Sequence, residues 1–131
     1  MERHVNLLAI LATLWGALAV LVGFSMLLLA FGALAELLAS GEGDLAVAAR
    51  VTAWAFTVVG VFALVWGAAH VWVGALLRRR RPVGRVGALA LALVNLIVVP
   101  FGTALGVYAL WVLLTGAGRR LFEPTLAGPA R

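Results

Sequence analysis

Hydrophobic positions in this chain come in long unbroken runs, without the alternation that marks a half-buried strand. Four runs are separated by three interruptions. The first, residues 5–35, holds 31 positions without a charge, well beyond the roughly 20 needed to cross about 30 Å of hydrocarbon. A secretory signal has an apolar region of only about 7–15 residues. Arg3, His4 and the Ala33-Leu34-Ala35 triplet are therefore read as the flanks of a retained helix.

The break at 36–44 contains Glu36, Ser40-Gly41-Glu42-Gly43 and Asp44. Its glycines and acids predict a turn, with Asp44 capping the helix that follows. The second run, 45–77, stops at Arg78-Arg79-Arg80-Arg81-Pro82, where charge and proline coincide. Only Pro100 and Gly102 separate the third run, 84–99, from the fourth, 101–116. They predict a tight hairpin; one long kinked helix is the competing reading. Gly116-Ala117-Gly118 suits a helix C-terminus. The tail, 117–131, follows, with Leu121 and Phe122 at the headgroup level, Arg119 and Arg120 facing phosphate, and a mobile end around Pro129.

Composition changes this picture from helical to membrane-bound. With 131 residues, 65% hydrophobic and 11% charged, the chain has too little interior to hide its hydrocarbon from water. The absence of cysteine removes disulfides, thiolate metal sites and thiol catalysis together. The expected fold is all-α: a single-domain transmembrane antiparallel four-helix bundle over 1–131, with the lipid bilayer as its solvent.

Charge sets the orientation. All ten basic residues are arginine and the formal net charge is +5. Four crossings put Arg3, Arg78, Arg79, Arg80, Arg81, Arg85, Arg119, Arg120 and Arg131 on one side, leaving Arg50 opposite with Glu36, Glu42 and Asp44. The positive-inside bias then places both termini in the cytoplasm, in a multi-pass protein of a bacterial inner membrane. The Ala, Gly, Val and Leu bias alongside arginine points to a GC-rich bacterial genome. Arg78 to Arg81, Arg85, Arg119 and Arg120 are expected to contact anionic lipid. A nucleic-acid role is excluded because no aromatic-interleaved basic face is present to stack bases.

Lipid tails are as apolar as leucine, so pairing of the helices depends on close approach at small residues. Gly16 and Gly23 in the first run, Gly60, Gly67 and Gly74 in the second, and Gly102 and Gly106 in the fourth are the expected packing positions. The third and fourth runs, at about 16 residues, reach about 24 Å, while the 31-residue first run reaches about 46 Å. Leu34, Leu37 and Leu38 then stand apolar where water is expected, so a second copy or another membrane protein is the predicted partner.

Reactive groups are few. His70 and Asn95 are the candidate intramembrane polar residues, the default functional positions in a bilayer. His70 either relays a proton, holds a ligand or bonds a neighbouring helix backbone. Asn95 either binds substrate or locks the hairpin through Gly102 and Gly106. Counting along the chain puts the two at different depths, which predicts that they do not meet. Thr13, Ser25, Thr52, Thr57, Thr103 and Thr115 are expected to return their hydroxyls to their own helices. Trp54 and Trp72 suit interfacial anchoring, and Trp15 and Trp66 suit packing between the first two helices.

No serine or threonine has a base and an orienting acid, so no catalytic residue is assigned. Two histidines are too few for a metal, and no cofactor is expected; a haem shared between two copies through His70 is the remote exception. Small four-span proton-coupled exporters match in size but use a membrane-embedded glutamate in their first helix. Here the first run has no acid before Glu36.

The stretch Asn95-Leu-Ile-Val-Val-Pro100-Phe-Gly-Thr-Ala-Leu-Gly-Val-Tyr108-Ala-Leu-Trp111-Val-Leu-Leu, followed by Arg119-Arg120-Leu-Phe122, resembles the last hairpin of small uncharacterised bacterial four-span membrane proteins. Those end in a P-x-G-T-x-L-G-hydrophobic-Y-x-L-W pattern. The likeness covers about the final quarter of the chain; it implies four spans and a bacterial membrane and supplies no reaction. The functional expectation is a non-enzymatic protein acting through helix contacts, as a homo-oligomer or an accessory subunit. The alternative is a small oligomeric channel or transporter lined by His70 or Asn95.

Overall fold

Each apolar run becomes a helix in the computed structural model, which describes residues 2–40, 43–98 and 100–122. The order is α1 (Glu2–Ser40), α2 (Asp44–Arg78), α3 (Pro82–Asn95), α4 (Phe101–Leu114) and α5 (Gly116–Arg120). The protein is all-α: 91% of the described residues are helical and none is a strand. Both α1 and α2 are long and apolar enough to cross a membrane. The expected turn at Gly41 and Glu42 and the tail beyond Phe122 lie outside the described residues.

The first two helices outrun their predicted bounds. Leu37 and Leu38 carry α1 past Glu36 to Ser40, because one isolated carboxylate does not break intrahelical hydrogen bonds. Asp44 lies inside the first turn of α2 rather than ahead of it, and the Gly43 carbonyl accepts the first helical bond, from the Val47 amide at 3.2 Å. Its charge still complements the positive helix end.

At the other end of α2, Arg80 N–H donates to Leu77 O and Arg81 N–H to Leu76 O, both at 3.1 Å, and Arg80 has φ 52°. That is a Schellman turn with an arginine at the left-handed position glycine usually takes. Its ion-pair distance to the exposed Glu2 is 3.9 Å, too long and too wet to compensate for the strain. Arg80→Gly is expected to raise stability by about 1 kcal/mol, read as a higher detergent concentration at the unfolding midpoint. Pro82 occupies the first position of α3, where its missing N–H costs no hydrogen bond.

The third run ends four residues earlier than expected, at Asn95. A continuing helix would need the residue-100 amide to satisfy Leu96 O, and proline has none. The Thr103 hydroxyl donates to that carbonyl instead, at 3.0 Å. Thr103 therefore staples the turn rather than its own helix. Thr13, Ser25, Thr57 and Thr115 do return their hydroxyls to their own helices, at 2.7–3.0 Å.

The fourth helix stops at Leu114, two residues short of prediction, because Thr115 is extended and its hydroxyl donates to the carbonyls of Trp111 and Val112. Gly116 and Gly118 then open α5 instead of closing α4.

The chain divides into two compact units. One gathers the start of α1, up to Leu14, with everything from His70 onward; the other is the helical pair 15–69. The core of the first unit is Val5, Leu8, Ala9, Val73, Leu77, Ala88, Ala92, Ala109, Val112, Leu113 and Phe122. Phe122 is 5% exposed, so its ring plugs this core instead of facing outward. The plug depends on Gly118, where an added Cβ would collide with the Val112 carbonyl. Gly118→Ala is expected to dislodge α5, read as at least tenfold faster tryptic cleavage after Arg119 and Arg120 once opening is favoured by about 1.4 kcal/mol or more.

In the second unit the two helices meet through glycine. A Cβ on Gly67 would lie 2.5 Å from Gly16 O, and one on Gly60 3.0 Å from Gly23 O. Much of the outward surface is apolar, with Leu28 and Phe31 each 73% exposed and Leu38 81%; Glu36, Asp44 and Arg50 are its exposed charges among the described residues.

Candidate functional site

Within the first unit, α2 contributes His70 and α3 contributes Asn95, and the two side chains meet. Asn95 Nδ2 donates to His70 Nε2 at 2.9 Å, with His70 1% and Asn95 2% exposed. An accepting Nε2 places the imidazole proton on Nδ1, so the ring in this pair is neutral. The depth argument that kept these residues apart is corrected. Gly84 presses on the backbone of Leu76 and Leu77, which sets α3 beside α2 with a vertical offset of about 7 Å between His70 and Asn95 at 1.5 Å per residue. Side chains lean toward the N-terminus of their own helix. In an antiparallel pair His70 leans away from the arginine turn and Asn95 toward it, and the offset closes.

The expected role of Gly102 and Gly106 is altered in the same way. A Cβ on Gly102 would lie 2.8 Å from Asn95 O, and one on Gly106 2.6 Å from Ala92 O. The glycines do bring α3 and α4 together, but through backbone; the Asn95 amide turns to α2 instead. Asn95 Oδ1 is buried without a hydrogen-bond partner. Beside the pair is a cavity of about 20 Å³ bounded by Leu8, Ala12, Val73 and Leu105 as well as His70 and Asn95. That is room for one water molecule, and apart from His70 and Asn95 the walls are apolar. Among the described residues no three of His, Cys, Asp and Glu cluster as metal ligands would.

Gly74 seats α2 on α1 below the pair, where a Cβ would meet the Thr13 hydroxyl and lie 3.0 Å from Ala9 O. In the second unit Gly23 does the same against Leu64, at 2.8 Å. The predicted packing glycines therefore join α1 to α2, and α3 to α4, inside one chain. Trp66 is half-buried and stacks on Phe62 at 6.0 Å, and Trp15 is half-buried with Nε1 shielded and without a partner. Trp54 and Trp72 are 70% and 61% exposed.

The second feature is an arginine-rich end. The start of α1, the end of α2, the start of α3 and the end of α4 converge there, bringing Arg3, Arg78 to Arg81, Arg85, Arg119 and Arg120 into the first unit. Glu2 is the only carboxylate among the described residues of that unit. Arg85 is partly committed: its Nε donates to Leu113 O at 3.2 Å, closing the last turn of α4. His4, which the sequence marks only as a flank of the first run, joins Tyr108 and Trp111. Its Nδ1 is 3.1 Å from the Tyr108 hydroxyl, and its ring stands edge-on to Trp111 at 5.6 Å. No local signal connects positions 4 and 108.

Comparison with protein-family profiles, curated proteins and solved structures found no significant match.

Proposed function

We propose that this chain is a multi-pass protein of a bacterial inner membrane, with both termini in the cytoplasm, that acts through helix contacts as a homo-oligomer or an accessory subunit. The observation that carries this reading is the length and exposure of α1. Its 39 residues rise about 58 Å, and at the usual tilt of about 20° they still exceed the 40–45 Å of a bilayer with its headgroups. The surplus, from about residue 34 onward, leaves Leu34 and Leu38 apolar and uncovered on either side of the exposed Glu36. Water is a poor solvent for that surface, and a protein partner is the remaining cover.

The α3–α4 hairpin, 14 residues in each helix, rises about 21 Å. Whether it crosses completely or turns back within the bilayer, its arginine-rich ends stay on the cytoplasmic side, so the positive-inside reading is the same. Compartment reporters fused after Arg81 and after Phe122 are expected to report cytoplasm, and one inserted at Asp44 the opposite side. Mass measurement of the intact complex in mild detergent is expected to exceed one chain. A monomer recovered from buffer without detergent would overturn the whole reading.

The channel alternative draws on His70 and Asn95, but both are enclosed within a single chain. A pathway between copies would be lined by other residues, and flux in proteoliposomes that His70→Ala abolishes is the result that would restore it.

A further inference from the structure

The outer face of α4 carries two shallow apolar grooves on either side of a ridge formed by Val107 and Trp111. One, about 580 Å³, runs past Pro100, Thr103 and Tyr108; the other, about 540 Å³, past Leu96, Leu110 and Thr115. Val107, Trp111 and Leu114 are each more than half exposed. From Pro100 to Thr115 the face rises about 22 Å, longer than the roughly 15 Å of one bilayer leaflet.

At the Thr115 end the character changes abruptly. Arg119 and Arg120 follow on α5, and Arg85 is tethered to Leu113 by its Nε, so its two terminal nitrogens are held at the same end of α4. Guanidinium groups match phosphate oxygens in geometry as well as charge. Tyr108, with His4 on its hydroxyl, and Trp111 are amphipathic rings of the kind that settle at the headgroup boundary.

We infer that this face seats one anionic phospholipid, its acyl chains in the grooves flanking Trp111 and its phosphate on Arg85, Arg119 and Arg120. The inference rests on the membrane reading above and adds a specific ligand to it. Charge selects the headgroup class: eight arginines against one carboxylate among the described residues of this unit repel the ammonium of a zwitterionic lipid.

The test is native mass spectrometry of the full chain, delipidated in mild detergent and given phosphatidylglycerol or phosphatidylcholine at equal mole fraction. One phosphatidylglycerol per chain is expected to be retained, about tenfold or more over phosphatidylcholine. Arg119→Gln with Arg120→Gln should remove that preference, and so should Arg120→Gln in part. Arg50→Gln, in the other unit, should leave it unchanged. Trp111→Ala should lower retention of both lipids, with helicity by circular dichroism confirming that the variant is folded. Equal retention of the two lipids, full retention by the double variant, or a lipid-free dimer protected across Trp111 would each overturn the inference. A chain that partitions into detergent but prefers neither lipid refutes the lipid seat alone; one that stays in buffer without detergent refutes the membrane reading with it.

Discussion

Gly67→Ala is expected to destabilise the protein by about 1–3 kcal/mol, and Gly67→Leu by more. The added Cβ would lie 2.5 Å from Gly16 O and 2.7 Å from Val20 N. Both are backbone atoms of α1, so no rotamer change relieves the overlap, and the helices must separate along their seam. Separation is costly because it forfeits the van der Waals contact along the seam, and in the proposed bilayer setting that contact is most of what pairs two apolar helices. Gly60→Ala should cost less: its Cβ would be 3.0 Å from the Leu27 side chain, which can shift, as well as from Gly23 O. Gly32→Ala meets nothing within 4 Å and should gain about 0.5–1 kcal/mol from helix propensity.

Ellipticity during titration with a denaturing detergent reads the order directly. The expected sequence of midpoints is Gly32→Ala at or above wild type, then Gly60→Ala, then Gly67→Ala. Because Gly60 and Gly67 join helices of one chain, the mass of a folded assembly should not change with their substitution. Equal midpoints for Gly67→Ala and Gly32→Ala would mean that α1 and α2 do not meet at this seam.

Asn95→Leu and His70→Leu are each expected to cost about 1–3 kcal/mol, while the double substitution costs less than their sum. The leucine at 95 leaves the His70 Nε2 acceptor without the donor now 2.9 Å away, and the leucine at 70 leaves the Asn95 amide buried with nothing to bond. Replacing both removes the orphaned group along with the bond. Interhelical pairs in membrane proteins couple by about 0.6 kcal/mol on average and up to about 1.7, which is the range expected for this cycle. Strict additivity would show that the two residues act independently and would remove the pair as a clamp between α2 and α3.

Much of the architecture was legible because its causes are local. The uncharged run before Glu36, the Arg78-to-Pro82 stop and the Pro100 turn each mark where an intrahelical hydrogen-bond ladder continues or fails, and adjacent residues decide that. The errors at the ends have the same origin seen more finely. Thr103 serving Leu96 O ends α3 early, and Thr115 turning back on Trp111 and Val112 ends α4. Both depend on where one hydroxyl points.

The site was less legible. His70 and Asn95 stood out as the polar residues of apolar helices, but their meeting depends on the vertical register of antiparallel neighbours. So does the contact of His4 with Tyr108 and Trp111, 104 positions and more along the chain. Phe122 was placed at a surface because arginines precede it; the close approach at Gly118 turns it inward.

The amino-acid order alone determined that this chain is a set of apolar helices with its arginines concentrated between and after them, since hydropathy and helix stops are properties of neighbouring residues. Only the tertiary structure decided which polar groups pair, which glycines touch backbone and which aromatic closes the core. Those outcomes follow from the rotation and height of one helix against another, and glycine contacts distant in sequence set both.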